Sequence, residues 1–315
     1  PLERDDWPEY KPPFVGQAAR VAPDGRLWVL RTREAGDEVP RYDVFDGYGA
    51  RVGSVQLPPN GRLVGFGRKR SSLRDIVLSG SGSVTAYTHG GSALNTVTLD
   101  EGTDAVPLGI DAVRDAPWIS ILRGCLTTGC EKKTIVLDLL SLVRTATLDG
   151  AIDDVAVDGQ SAHAIVDLTS SIELRSYNLA DPLHPVVTAS RPTEGGAVAV
   201  AARGGFVYTL GTRLSTYSQP SLAKIGEQLA PASVSGATDL VAIDSCALVT
   251  GRSAFGELYS REGTIWPVPP VDIPLPASPL GIVQQNGRMM VLTDNSIEIL
   301  WNVVPAPPAR RRAAR

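Results

Sequence analysis

Cys125 and Cys130 bracket Leu-Thr-Thr-Gly, a spacing that suits a disulfide closing a hairpin tip. Closing so short a loop stabilises by roughly 2 kcal/mol through chain entropy. A zinc site would need a second Cys or His pair nearby, and the three histidines, His89, His163 and His184, fall in unrelated surroundings. Cys246 opens an apolar run and reads as a small buried apolar residue. Acidic residues supply a second candidate. Asp111, Asp153, Asp154 and Asp239, with Arg20, stand at or near the starts of apolar runs, where carboxylates from several segments could converge on a cation. Superposing those runs places Asp153 with Asp239, and Asp111 with Asp154 and Arg20. Asp111, Asp154 and Asp239 are therefore the candidate metal ligands. Calcium is the cation they suit, although it takes about six to eight oxygens and no EF-hand-like loop occurs. The plainer expectation is no cofactor at all, with these groups capping strand ends and binding water.

Other reactive patterns fail on context. Ser79-Gly80-Ser81-Gly82-Ser83 lacks the G-x-S-x-G order and precedes a strand-like run where a nucleophile elbow needs a helix. Gly65-Phe66-Gly67 has no following helix to receive a phosphate. Arg68-Lys69-Arg70 is a short basic turn, and a net charge of -4 offers no field for nucleic acid. No run approaches about 18 apolar residues, so no transmembrane segment is expected.

The elements that must position these residues repeat. Phe45, Tyr87, Leu137, Tyr177, Tyr217, Tyr259 and Leu300 each end the third apolar run of a unit, at spacings of 42, 50, 40, 40, 42 and 41 residues. The long interval contains an insertion, Gly124–Lys132. Asp24-Gly25, Asp158-Gly159, Gly204-Gly205 and Asn286-Gly287 join the first run to the second. For Asp158-Gly159 the pair suits the two central positions of a type I′ turn. Asp154 to Ser190 is the fullest unit: four short apolar runs about ten residues apart, which is the pattern of an all-β sandwich, barrel or propeller. A period near 42 with four strands per period selects the propeller. Lys133–Leu148 is the best helix competitor, but its place in the repeat requires two strands with a turn at Leu139–Leu142. The seventh unit lacks a fourth strand, which residues within Pro1–Gly16 could lend.

Tyr177–Val187 (YNLADPLHPVV), following DVAVDGQSAHAIV, resembles the LVIVD type of bacterial β-propeller repeat, whose units carry a D-x-S-D-P-x-x-P-like turn. Trp7–Gly67, with APDGRLWVLR and YDVFDGYGARVGSVQLP, is similar to six-bladed and NHL-like propeller units of bacterial surface proteins. Those families are mostly extracellular or envelope-associated binding modules. The resemblance therefore implies export, and it carries no catalytic residue onto this chain.

The sequence thus predicts an all-β, seven-bladed β-propeller of four-stranded antiparallel blades over residues 1–304, with a Pro/Arg-rich tail at 305–315. Its expected role is a secreted, periplasmic or cell-surface, non-catalytic module that binds or scaffolds a protein or glycan partner. Two alternatives stay open: a lactonase-like propeller hydrolase with a metal in the central channel, and a structural subunit of a surface assembly. The longest loops are Thr32–Arg41, Gly124–Lys132, Asn178–Pro185 and Ser260–Val271. The first two share a face with the starts of the innermost strands, where the partner is expected to bind.

Overall fold

Short runs rich in β-branched residues, each closed by a turn, can satisfy their backbone groups only by pairing with one another. A computed structural model shows that pairing. It describes residues 14–301 except for 23–25, 33–38, 58, 60, 70–71, 80–82, 89–92, 100–104, 114–115, 124–129, 194–195, 230–238, 244–245, 251–254, 261–270, 275–278, 286–287 and 294–296.

The first sheet holds β1 (Phe14–Val21), β2 (Leu27–Arg31), β3 (Arg41–Phe45) and β4 (Arg51–Gln56). The second holds β5 (Gly61–Lys69), β6 (Ser72–Ser79), β7 (Ser83–Thr88) and β8 (Ala93–Thr98). The third holds β9 (Val106–Val113), β10 (Ala116–Arg123), β11 (Glu131–Leu137) and β12 (Arg144–Asp149). The fourth holds β13 (Ala151–Asp158), β14 (Ser161–Leu168), β15 (Ser171–Asn178) and β16 (Val186–Pro192). The fifth holds β17 (Ala199–Arg203), β18 (Phe206–Leu210), β19 (Arg213–Ser218) and β20 (Ala223–Leu229). The sixth holds β21 (Asp239–Ile243), β22 (Cys246–Thr250), β23 (Phe255–Ser260) and β24 (Val271–Pro274). Among the described residues the last sheet has three strands, β25 (Pro279–Gln285), β26 (Arg288–Thr293) and β27 (Ile297–Trp301).

Each sheet is an antiparallel meander, and the first strands of successive sheets stand side by side: β5 by β9, β9 by β13, β13 by β17, β17 by β21 and β21 by β25. β1 lies against β25. First strands therefore face the centre and fourth strands the outside. Lys133–Leu148 forms β11, a turn at Leu139–Ser141 and β12, as the repeat requires. The described residues contain no helix long and apolar enough to cross a membrane.

The core lies between sheets. Trp118 of β10 packs edge-on against Tyr177 of β15, ring centroids 5.2 Å apart, in a cluster with Ala162, Ala164 and Val166 of β14. Trp28 of β2 packs with Tyr42 and, across to the second sheet, Leu63. Both tryptophans are thus inter-sheet core.

One turn departs from the sequence reading. Asp158 pairs with Ser161 as a ladder residue, so the loop is Gly159-Gln160, with Gly159 at φ 58°. A glycine at the first central position is the type II′ choice. The I′ pattern is met instead by Gly204-Gly205, at φ 61° and 85°, between Arg203 and Phe206.

Candidate binding face

The first strands carry a recurring irregularity near their starts. In β5, β9, β13 and β25 the ladder to the second strand slips by one residue, leaving Val64, Leu108, Asp153 and Leu280 unpaired. In the fifth sheet Ala199 pairs with Leu210 while the Val198 N–H also reaches the Leu210 carbonyl at 2.7 Å, so Val198 takes the same position. A bulge pushes its extra residue out of the ladder. Val198 is accordingly exposed between buried Ala197 and Ala199, and Leu108 is exposed as well. Asp153, on the strand between them, is also exposed. These residues lie toward the starts of the first strands, at the end of the meander that also carries the second-to-third turns.

The candidate ligands sit differently from the superposition made on sequence. Counted back four residues from the last paired residue of each first strand, the equivalent positions are Gly65, Gly109, Asp154, Ala199, Asp239 and Gly281. Asp154 therefore matches Asp239, and Asp153 matches the bulged Leu108 and Val198. Asp111 sits two residues nearer its hairpin, level with Ala156 and Arg20. That offset is about 7 Å along a strand. Asp154 and Asp239 are on sheets separated by β17, and Asp154 is occupied: its Oδ2 accepts the Val200 N–H of β17 at 2.7 Å. Arg203 and Phe206 close a two-residue hairpin, so alternate residues back from Arg203 are bonded to β18 and Val200 presents its N–H away from its own sheet. The Asp154 carboxylate thus satisfies a donor on the open edge of the next sheet. Among the described residues no three acidic, His or Cys side chains stand close enough to hold a metal ion; the side chains of Asp111 and Asp239 lie outside that description.

A Ser–His contact, which sequence reading missed, does occur: His163 Nδ1 meets Ser176 Oγ at 2.8 Å. Both are buried, at 0% and 1% exposure, so no substrate reaches the pair. Burial holds the imidazole neutral, lowering its pKa to about 4 against the opposing pull of Asp158 and the Gln219 side chain.

Around the bulged residues the face is acidic. Asp153 is held above the usual carboxylate range, first by lost hydration and then by the charge of Asp167, with Lys132 opposing. Lys132 Nζ is engaged by Asp167 at 2.5 Å, and Asp153 makes no hydrogen bond or ion pair with a described residue. Cys130 is half-buried and disulfide-bonded, and its carbonyl accepts the Thr169 hydroxyl from the next sheet at 3.1 Å. Cys125 falls outside the described residues, as do 33–38 and 261–270 of two other long loops. The fourth long loop, Asn178–Pro185, lies at the opposite end. Asn178 Oδ1 accepts the Ala180 N–H at 2.8 Å, and Asp181 holds the Leu183 N–H and His184.

No family model matches the chain, and no curated protein matches it. Solved structures do. BamB from Moraxella catarrhalis aligns with TM-score 0.57 at 14% identity, over 89% of this chain and 80% of that one. U3-55K aligns with TM-score 0.60 at 10% identity, over 90% and 95%. The RRP9 WD40 repeats align with TM-score 0.60 at 9% identity, over 90% and 94%. These likenesses establish the β-propeller fold.

Proposed function

We propose that this protein is a non-catalytic propeller that binds a protein or glycan partner on the face bearing the second-to-third turns. The observation that supports it most is the exposure of Leu108 and Val198 near the starts of the innermost strands, beside Asp153, which makes no hydrogen bond or ion pair with a described residue. The propeller neighbours point the same way only through their fold. The titratable pair that resembles catalytic machinery, His163 and Ser176, is sealed from solvent.

The finer architecture in this reading is a seven-bladed ring of the LVIVD-like kind. Seven sheets among the described residues and the contact of β1 with β25 favour it. The strand expected from within Pro1–Gly16 falls, up to Pro13, outside the described residues, and Phe14–Gly16 belong to β1. In this reading Cys130 pairs with Cys125, across the four intervening residues of the loop, and such a bond fits an oxidising compartment outside the cytosol. Alkylation before and after reduction should count one free thiol, then three.

A photo-crosslinking residue placed at Leu108 or Thr169 should trap the partner in producing cells, whereas one at Val187, on the opposite end, should not. Adducts formed only from Val187 would overturn the face assignment.

A further inference from the structure

We propose that the centre of this face takes a short peptide segment of the partner in which an aliphatic or aromatic side chain lies next to a lysine or arginine. The inference depends on the face proposed above and specifies what binds there. Its first support is the row of bulges. They place Leu108, Asp153 and Val198 on three consecutive first strands, with an apolar residue on either side of one carboxylate. Val64 and Leu280 hold the same register position in β5 and β25, so the position is apolar in four of these five strands. Val106, further toward the start of β9, is 54% exposed and extends the apolar surface. An exposed aliphatic side chain stays hydrated at a cost that a partner's apolar group removes.

The second support is charge. Asp153 stands beside Asp167, whose only described cation, Lys132, is already engaged by it. Asp149, at the end of β12, is exposed at the same end, with the mostly buried Arg175 3.8 Å away. A cation arriving with the ligand would add to the partial counter-charge that Lys132, shared with Asp167, gives Asp153 among the described residues. An acidic or purely apolar segment would leave that carboxylate desolvated and unpaired. A glycan offers neither the cation nor the continuous apolar surface, which is why a peptide is favoured over it.

Phage-displayed random peptides of about ten residues, selected on the folded full chain, should be enriched in Leu, Ile or Phe next to Lys or Arg. A fluorescent peptide of the enriched sequence should bind about tenfold more weakly to Asp153→Asn and to Val198→Ser, each a loss of about 1.4 kcal/mol. Asp153→Glu should recover most of the affinity, and Val157→Ser, at the hairpin end of β13, should change nothing. Enriched peptides lacking a cation, no enrichment at all, or a peptide indifferent to both Asp153→Asn and Val198→Ser would overturn the inference. If such a peptide still loses affinity on deletion of Leu126–Gly129, the face stands and only its centre is misassigned. If it is indifferent to that deletion as well, both readings fall.

Discussion

The seam between the third and fourth sheets and the seam between the fourth and fifth join the same kinds of strand by different chemistry. In the first, two buried hydroxyls clasp the backbone of β13. Ser120 Oγ accepts the Ile152 N–H at 2.8 Å and donates to the Ile152 carbonyl at 2.9 Å, while Thr134 Oγ1 donates to the Gly150 carbonyl at 2.9 Å. Gly150 alone connects β12 to β13. In the second seam the connection is longer, residues 193–198, and ionisable groups span it. Asp154 accepts the Val200 N–H, Asp158 accepts from Gln219 Nε2 at 3.1 Å, and Arg191 donates to the Leu222 carbonyl at 3.2 Å. Arg191 also stands 5.9 Å from the Tyr217 ring centroid. A repeat can thus keep its strands and vary its joints. The first, the neutral seam by its buried hydroxyls, carries the Lys132–Asp167 ion pair only toward its more exposed part. In the second, the charged seam, carboxylates reach the neighbouring sheet directly.

The largest expected effect is at the neutral seam. Gly150 has φ 87°, and a Cβ there would press on Val166 and come within 2.7 Å of Leu168 Cδ2. Gly150→Ala should destabilise by about 3 kcal/mol or more, combining left-handed strain with overpacking, as a lower denaturant midpoint would show. Thr134→Val keeps the shape and removes the hydroxyl, leaving the Gly150 carbonyl without that donor. A loss of about 1–3 kcal/mol is expected, and it should be the same at pH 5 and pH 8. A pH-dependent loss would break the contrast between the seams.

The carbon skeleton of the fold was legible because Phe45, Leu137, Tyr177 and Tyr217 are large, buried or half-buried, and evenly spaced. The residue after three of these also carries a signal. Asp46, Asp138 and Asn178 each accept the N–H two residues on, at 2.9, 3.1 and 2.8 Å, which starts the third-to-fourth turn. The candidate site was less legible because a bulge has no residue-type signature: Val64, Leu108, Val198 and Leu280 are aliphatic, like other residues of their strands, and Asp153 holds the same position. The first strands start at different distances from the slip, so a superposition on sequence sets Asp153 against Asp239. Counting back from the hairpin gives the correct match. The small residues Gly65, Gly109, Ala199 and Gly281, each just after the bulge, were the available clue.

The charged seam should respond to acid. His163 is buried against Ser176, with Asp158 of its own sheet and Gln219 from across the seam acting on it, and Arg191 and Tyr217 elsewhere along the seam. Its pKa falls from an unfolded 6.5 to about 4, so the unfolded chain takes up the proton first as pH drops. Its contribution is fully present above pH 6.5 and is lost as pH falls toward 4, amounting to about 3 kcal/mol at most. Unfolding free energies measured across that window should fall steeply for the native chain and less so for His163→Asn. Equal slopes would remove His163 as the acid-sensitive element of this seam.

The smallest effect sharpens the comparison on the outer strands. In β12 and β16 the ladder to the third strand slips by one residue, leaving Thr145 and Thr188 in matching positions. Each hydroxyl turns back to a third-strand carbonyl, Thr145 to Val136 at 3.3 Å and Thr188 to Ser176 at 3.2 Å. Thr145 also reaches across the neutral seam to the Leu183 carbonyl at 2.8 Å, which is the shorter and better placed of its two contacts. No corresponding bond from Thr188 crosses the charged seam among the described residues. Thr145→Ala should therefore cost about 1 kcal/mol and Thr188→Ala about half that, since a net hydrogen bond is worth about 0.5–1.5 kcal/mol. Hydrogen exchange of the Asn178–Pro185 turn should quicken in Thr145→Ala, because Leu183 loses its tether to the third sheet, and stay unchanged in Thr188→Ala. Equal quickening in both would mean that the turn is held by its own Asn178 and Asp181 bonds, and that the neutral seam does not extend to the outer strands.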